Sequence, residues 1–329
     1  MKKILLNCVI VLLLNCFFVQ ASILDTRYSN LDTKYDFVVA QDGTGNFKTV
    51  QEALNAVPDF RKVTTTIFIK KGVYKEKLNL SASKKLVKII GESNTETILT
   101  FDDWAQRKNI FGEEKGTSGS ASFYVYGDGF TAENITFQNT AGPVGQAVAL
   151  FVAGDKAKFI NCRMLGFQDT LYTYGYGSRQ YYYKCYIEGT VDFIFGSSTA
   201  VFDECEIFGK KAGYFTAAST PDSTKYGYVF INSRITGDAP EHSFYLGRPW
   251  RPFAKTVFIN CDLDKQIQPE GWHNWNKPEA ERTSFYAEYN SRGIGANKNA
   301  RALWSHQLTE NELTDYSLIK ILNGWNPKE

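Results

Sequence analysis

An aromatic residue followed five positions later by an aliphatic residue or Met recurs six times along the middle of this 329-residue chain. The pairs are Phe130/Ile135, Phe159/Met164, Tyr182/Ile187, Phe202/Ile207, Phe230/Ile235 and Phe258/Leu263. Their starts are separated by 29, 23, 20, 28 and 28 residues, and the third position after each aromatic holds Glu133, Cys162, Cys185, Cys205, Ser233 and Cys261. One such unit is a short strand with turn residues on either side, too small to bury its own apolar face. Stacked units bury that face against one another, which is how solenoids are built. A period of 20 to 29 residues with strands and no helical pattern between them specifies an all-β fold, a right-handed parallel β-helix. Leucine-rich repeats have similar periods, but their Leu/Asn signature is missing, and a β-sandwich gives no reason for one anchor at a recurring spacing. The aromatic content of 15% against only 2 Met also favours pleated surfaces over helices.

Solenoids need covered ends, because their terminal strands otherwise expose unpaired edges. Phe47, Val50, Leu54 and Val57 fall at helical spacing before Pro58, which predicts a capping helix over the first coil. Thr309 and Glu312 form a capping box ahead of a helical stretch that Gly324 stops. No segment between residues 30 and 325 has the composition of a linker, so a single β-helix domain is expected over 36–325, preceded by a short segment, 22–35.

The first 21 residues have the plan of a secretory signal peptide: Lys2 and Lys3, an apolar run from Ile4 to Leu14, and a small-residue site at Val19-Gln20-Ala21. The run is too short, and too interrupted by Asn7, for a membrane span. Cys16 is the one candidate for lipidation, although Asn15 precedes it where such sites have a small residue. Export to the periplasm, the cell surface or the medium is therefore expected. Without Lys2 and Lys3 the charge balance is 35 basic to 35 acidic residues, unlike the basic excess of a nucleic-acid binder. A neutral single-domain β-helix is expected to be a monomer.

Asp169 lies seven residues after Cys162, and Asp192 lies seven after Cys185. The repeat therefore places both aspartates at the same point of successive coils, about 4.8 Å apart. Carboxylates that close repel, so one keeps its proton while the other ionises. Their settings, Phe167-Gln168-Asp169-Thr170-Leu171-Tyr172 and Val191-Asp192-Phe193-Ile194-Phe195-Gly196, are apolar rather than turn-like. Retaining glycosidases hold their carboxyl pair at a similar distance, about 5 to 5.5 Å, so the pair alone does not select a reaction. A G-x-S-x-G elbow is missing, and His242, His273 and His306 lack metal-ligand spacing. In Leu246-Gly247-Arg248-Pro249-Trp250 a guanidinium able to clamp a carboxylate sits two residues from an indole able to stack on a sugar. Gln146, at the edge of the apolar run Ala147-Val148-Ala149-Leu150, reads either as a ladder residue or as a donor to a developing oxyanion.

At these residues the chain resembles the pectin methylesterases (pectinesterases). The likeness runs from about Asp36 to Trp304 through Gly72 to Glu76, Gly129 to Gly142, Gln146 to Leu150, Gly166 to Tyr172, Val191 to Gly196 and Leu246 to Trp250. It implies a right-handed parallel β-helix that hydrolyses galacturonate methyl esters of pectin to carboxylates and methanol, without a metal or other cofactor. It also implies roles: Asp192 as nucleophile, Asp169 as general acid and base, Gln146 and Gln168 as oxyanion donors, and Arg248 as the group that orients Asp192. Tyr172, Phe195 and Trp250 match positions lining the sugar-binding cleft. Cys185 and Cys205 match a pair that is disulfide-bonded in some bacterial members, with Cys162 one coil away as a competitor. A β-helix glycosidase on polygalacturonan and a non-catalytic pectin-binding protein are the alternatives; the glutamines and Arg248 favour the esterase.

Overall fold

A computed structural model describes residues 34–329. The expected leader 1–21, with Cys16, and nearly all of segment 22–35 lie outside the described residues. The chain winds as a right-handed parallel β-helix whose coils each add a strand to up to three parallel sheets, of eleven, seven and eight strands. Neighbouring strands pair in register over most of the length, so a residue in one coil is covered by its equivalent in the next.

That register explains the recurring aromatic. On the eleven-stranded sheet Phe159, Tyr182, Phe202, Phe230 and Phe258 occupy one rung each of a single inward-facing column. Their rings stack with centroids 4.9, 4.8, 4.5 and 4.4 Å apart. Coil spacing and ring stacking thus coincide, adding to the burial of apolar area. The first expected unit is displaced by two residues. Phe159 pairs with Ala132 rather than Phe130, and Met164 with Phe137 rather than Ile135. Phe130 and Ile135 are nonetheless fully buried, because a slip of two preserves which face a residue occupies. Replacing Phe202 with Ala, in the middle of the column, is expected to lower the unfolding free energy by about 3–5 kcal/mol in denaturant titrations.

The Cys/Ser position has an equally local cause. Each strand of the eleven-stranded sheet from Thr131–Glu133 to Phe285–Tyr289 is followed by one residue with left-handed backbone: Asn134, Asn161, Lys184, Glu204, Asn232, Asn260 and Asn290. Four of the turns that follow carry Cys162, Cys185, Cys205 and Cys261, all buried as free thiols. The implied Cys185–Cys205 disulfide is therefore absent. The Cys185 and Cys205 thiols instead donate to the carbonyls of Phe159 and Tyr182 on the preceding coil, at 3.5 and 3.4 Å.

The helix Val50–Ala56 covers the first coil as expected, with Thr49 and Glu52 forming a capping box and Val50, Ala53 and Leu54 buried. The Glu76 carboxylate takes the Val50 and Gln51 amides at 2.9 and 3.0 Å, satisfying the helix start. The other end departs from expectation. The Thr309/Glu312 box is present, but the stretch breaks into two short helices, Glu310–Leu313 and Leu318–Ile321, before Gly324. They do not close the coil end. They lie on the outer face of the eleven-stranded sheet, where Tyr181, Val201, Val229 and Val257 form an apolar strip against Leu308, Ile321 and Leu322. The coil end is closed by the irregular chain between 290 and 305. There Trp304 packs on Tyr286, and Glu288, the rung after Phe258, pairs with Arg301 at 2.6 Å, both side chains 3% exposed.

Candidate active site

The site lies on the outer face of the seven-stranded sheet, where Phe151, Tyr172, Phe195 and Ala217 form a second, exterior column. Asp169 and Asp192 sit just before two of its strands, Leu171–Thr173 and Ile194–Gly196. Leu171 pairs with Ile194, which makes the two aspartates equivalent on adjacent coils, as their spacing from the cysteines required. Both hold left-handed backbone, φ 64° and 53°, a conformation Asp tolerates better than most residues. That turn aims each carboxylate at a cavity of about 470 Å³ while burying it to 7% exposure.

Arg248 leaves the end of strand Phe244–Gly247 and is anchored by its own amide on Thr216 O at 3.0 Å. Its Nε and Nη2 donate to the two oxygens of Asp192 at 2.8 and 2.7 Å. The guanidinium is held between the rings of Tyr214 and Trp275, 3.7 and 3.6 Å from their centroids. This cation–π sandwich leaves Arg248 little rotational freedom, so the fork presents Asp192 in one orientation.

The two carboxyls are electrostatically unequal. Burial raises Asp169 well above the usual carboxylate range, the charge of Asp192 adds to the rise, and Arg248 only partly opposes it. Burial also raises Asp192, but there the hydrogen bonds and charge of Arg248 counteract it. The pair therefore resolves into an ionised Asp192 beside a protonated Asp169.

Gln146 and Gln168 form a parallel bridge on neighbouring coils and both line the cavity. Gln106 Nε2 donates to Gln146 Oε1 at 3.2 Å, which leaves the Gln146 amide NH2 as the donor toward the cavity. Tyr172 stacks on Phe195 at 4.1 Å, and Trp250 lies 5.8 Å from Phe195, making an apolar wall. All eight predicted site residues, Gln146, Gln168, Asp169, Tyr172, Asp192, Phe195, Arg248 and Trp250, thus line one cavity. Among the described residues no group of three or more His, Cys, Asp or Glu side chains is placed to hold a metal ion.

Several contributors carry no repeat signature. Trp275 and Lys115 line the cavity, as do Thr117 and Ser118, and Gln106 and Tyr214 act from behind. Trp275 was the most findable, since Trp272-His273-Asn274-Trp275 places two indoles three residues apart. Trp272 packs in the core on Tyr286, whereas Trp275 faces the cavity, its amide donating to His273 Nδ1 at 2.9 Å.

The sequence profile of the family described as Pectinesterase matches residues 36–324. Pectinesterase 31 of Arabidopsis thaliana is 41% identical over 83% of this chain and 88% of its own length. Other relatives are longer; the chain spans 45% of the putative pectinesterase/pectinesterase inhibitor 43 of the same plant. The solved pectin methylesterase from carrot superposes with a TM-score of 0.82 at 35% identity, covering 89% of this chain and 95% of that one. A pectin methylesterase solved with a hexasaccharide superposes with a TM-score of 0.79 at 31% identity, covering 90% and 99%.

Proposed function

The chain belongs to the pectinesterase family, and from that membership we propose that it hydrolyses the methyl esters of galacturonate units in pectin, releasing methanol and leaving pectate. The observation that carries the mechanism is the Arg248-clamped Asp192 beside a protonated Asp169, with the amide of Gln146 free to donate into the same cavity.

Asp192 attacks the ester carbonyl, and the carbonyl π electrons move to oxygen. Gln146 and Gln168 stabilise that oxyanion. As the tetrahedral centre collapses, the C–OCH3 bond breaks and Asp169 transfers its proton to the leaving oxygen, so methanol departs and an Asp192–acyl ester remains. Asp169, now ionised, takes a proton from a water that attacks the acyl carbon. Breaking the acyl–Asp192 bond returns the carboxylate to Arg248, releases the galacturonate product and leaves Asp169 protonated for the next turn. Tyr172, Phe195 and Trp250 supply the flat apolar surface on which a sugar ring and its ester methyl pack.

Replacing Gln146 with Ala is expected to lower kcat by about 10²–10³-fold with a much smaller change in KM, because the donated hydrogen bond strengthens as the oxyanion forms. Steady-state methanol release measures both constants.

The reading extends to the beginning of the chain, where residues 1–21 act as a signal peptide and the enzyme works as an exported monomer on cell-wall polymer. Among the described residues no helix is long and apolar enough to cross a membrane. The decisive experiment incubates purified protein with highly methylated pectin and assays methanol, new reducing ends and unsaturated products together. Methanol without chain cleavage is expected. Chain cleavage without methanol would instead assign the carboxyl pair to glycosidase or lyase chemistry, and binding without product would leave a pectin-binding protein.

A further inference from the structure

On the corner where the coils pass from the seven-stranded to the eleven-stranded sheet lies a second, shallow groove of about 610 Å³. It shares no residue with the cavity of the two aspartates. Its floor spans three successive coils: the Leu86 amide donates to Asp128 O at 2.9 Å, and the Gly129 amide to Asp155 O at 2.8 Å. Gly129 has left-handed backbone, φ 69°, and a Cβ there would meet Leu86 Cδ2 at 2.7 Å, so the floor stays flat.

Phe60 forms one wall. It is 70% exposed, and its backbone is left-handed, φ 53°, where Gly or Asn costs less. The loop is anchored, because the Phe60 amide donates to Ser83 O at 2.7 Å and Asp59 accepts from Ser83 Oγ at 2.6 Å. A bulky residue thus stands in solvent on a backbone that disfavours it, and neither burial nor propensity accounts for it. The groove is also cationic. Arg61, Lys62, Lys85 and Lys156 line it together with Asp128 and Asp155. Asp155 is taken by Arg179, whose Nε and Nη2 donate at 3.0 and 2.6 Å. Asp128 pairs with Lys85 at 3.1 Å, and Arg61 lies 3.7 Å from Asp36. Lys62 and Lys156 are exposed and have no carboxylate partner among the described residues.

An exposed ring beside two uncompensated ammonium groups fits a sugar acid, which has an apolar ring face and a carboxylate. The aromatic wall of the cavity leads toward this corner. Tyr172 lies 4.8 Å from Phe151, and Phe151 lies 5.5 Å from Tyr126, two residues before Asp128 of the groove. We propose that the groove is a second, non-catalytic site that binds de-esterified galacturonan while another stretch of the same polymer occupies the cavity. The identity of the polymer rests on the esterase reading above. A second foothold raises the local concentration of polymer at the cavity without adding a contact to the reacting unit. An oligomer too short to reach both places gains nothing.

The test uses the wild type, Phe60→Gly and the double variant Lys62→Gln/Lys156→Gln, all changed outside the cavity. It reads kcat and KM for methanol release from partly methylated polymer and from a short methylated oligomer. It also reads the retardation of each protein in gels containing polygalacturonate or polyglutamate. Both variants are expected to raise KM on the polymer and weaken retardation by polygalacturonate, each by about fivefold, the scale of one ring stack or two exposed charges. Values of kcat, and KM on the oligomer, should not change. Gly suits the left-handed backbone, so F60G should melt no lower than the wild type, which separates lost binding from lost folding. Unchanged KM and retardation in both variants would overturn the groove as a polymer site. Retardation by polyglutamate equal to that by polygalacturonate would overturn it too, leaving only a general anion surface. A wild type that releases no methanol yet keeps a retardation that the variants lose would overturn the esterase reading and support the groove.

Discussion

Replacing Asp192 with Ala is expected to abolish methanol release, lowering kcat by about 10⁴–10⁶-fold, the scale seen when a nucleophile acting within a coupled set is removed. Binding of a de-esterified oligomer should remain measurable, because the wall of Tyr172, Phe195 and Trp250 is untouched. The substitution has a structural cost that must be separated from the chemical one. Arg248, with only 16% of its side chain exposed, would lose both acceptors and stand as an unpaired cation between Tyr214 and Trp275. Breaking one side of a buried pair costs about 3–5 kcal/mol, so Asp192→Ala should also lower the melting temperature. Asp192→Asn keeps an oxygen for the fork and should melt closer to the wild type, yet it is just as poor a nucleophile. Calorimetry and methanol assays on both variants distinguish the two effects. Full activity in either variant would remove Asp192 from its role.

Replacing Asp169 with Asn is expected to lower kcat by about 10²–10⁴-fold and, at neutral pH, to stabilise the fold. The activity loss follows from removing the proton donor to methanol and the base for water. The stability gain follows from linkage. Burial, then the charge of Asp192, raise the folded-state pKa of Asp169 well above its unfolded value of about 3.9. A carboxyl shifted that way favours the fold most below its unfolded pKa, and the advantage is lost as pH rises between the unfolded and folded values. Asn carries no such pH-dependent loss. The melting-temperature difference between Asp169→Asn and wild type should therefore widen as pH is raised from 4 toward neutrality. Each kcal/mol relieved corresponds to about 2–4 °C. A difference that stays flat or narrows would contradict the protonated assignment. The same shifts predict a bell-shaped pH profile for the wild type: activity rises as Asp192 ionises, above the ordinary aspartate range, and falls as Asp169 loses its proton. The site thus trades stability for chemistry, as active sites commonly do.

The molecule divides cleanly into what a one-dimensional pattern can carry and what it cannot. The coils are legible because a parallel solenoid repeats one environment. The column of Phe159, Tyr182, Phe202, Phe230 and Phe258 is a set of equal spacings before it is a stack of rings. The paired aspartates of the cavity are legible for the same reason, each seven residues beyond a cysteine on successive coils. The slip at Phe130 shows the limit of the pattern. Inward residues alternate with period two, so Phe130 and Ala132 both face the core, and only the hydrogen-bonded pairing with Phe159 chooses between them. The Cys185–Cys205 pairing, which only the resemblance implied, is not made: both are free thiols that donate to carbonyls of the preceding coil.

The sequence by itself determined the solenoid, its inward column, the first-coil helix and the rung shared by Asp169 and Asp192, because each depends on spacing along one strand or one turn. Only the tertiary structure decided where the last helices lie, since the apolar strip they cover is assembled from Tyr181, Val201, Val229 and Val257 on four separate coils. It also decided which groups complete the cavity. Lys115 and Trp275 arrive from irregular loops, and Gln106 supports Gln146 across a separation of 40 residues. No repeat passes through these residues; their places follow from the packing of loops on the outer face of the seven-stranded sheet, which no spacing in the chain encodes.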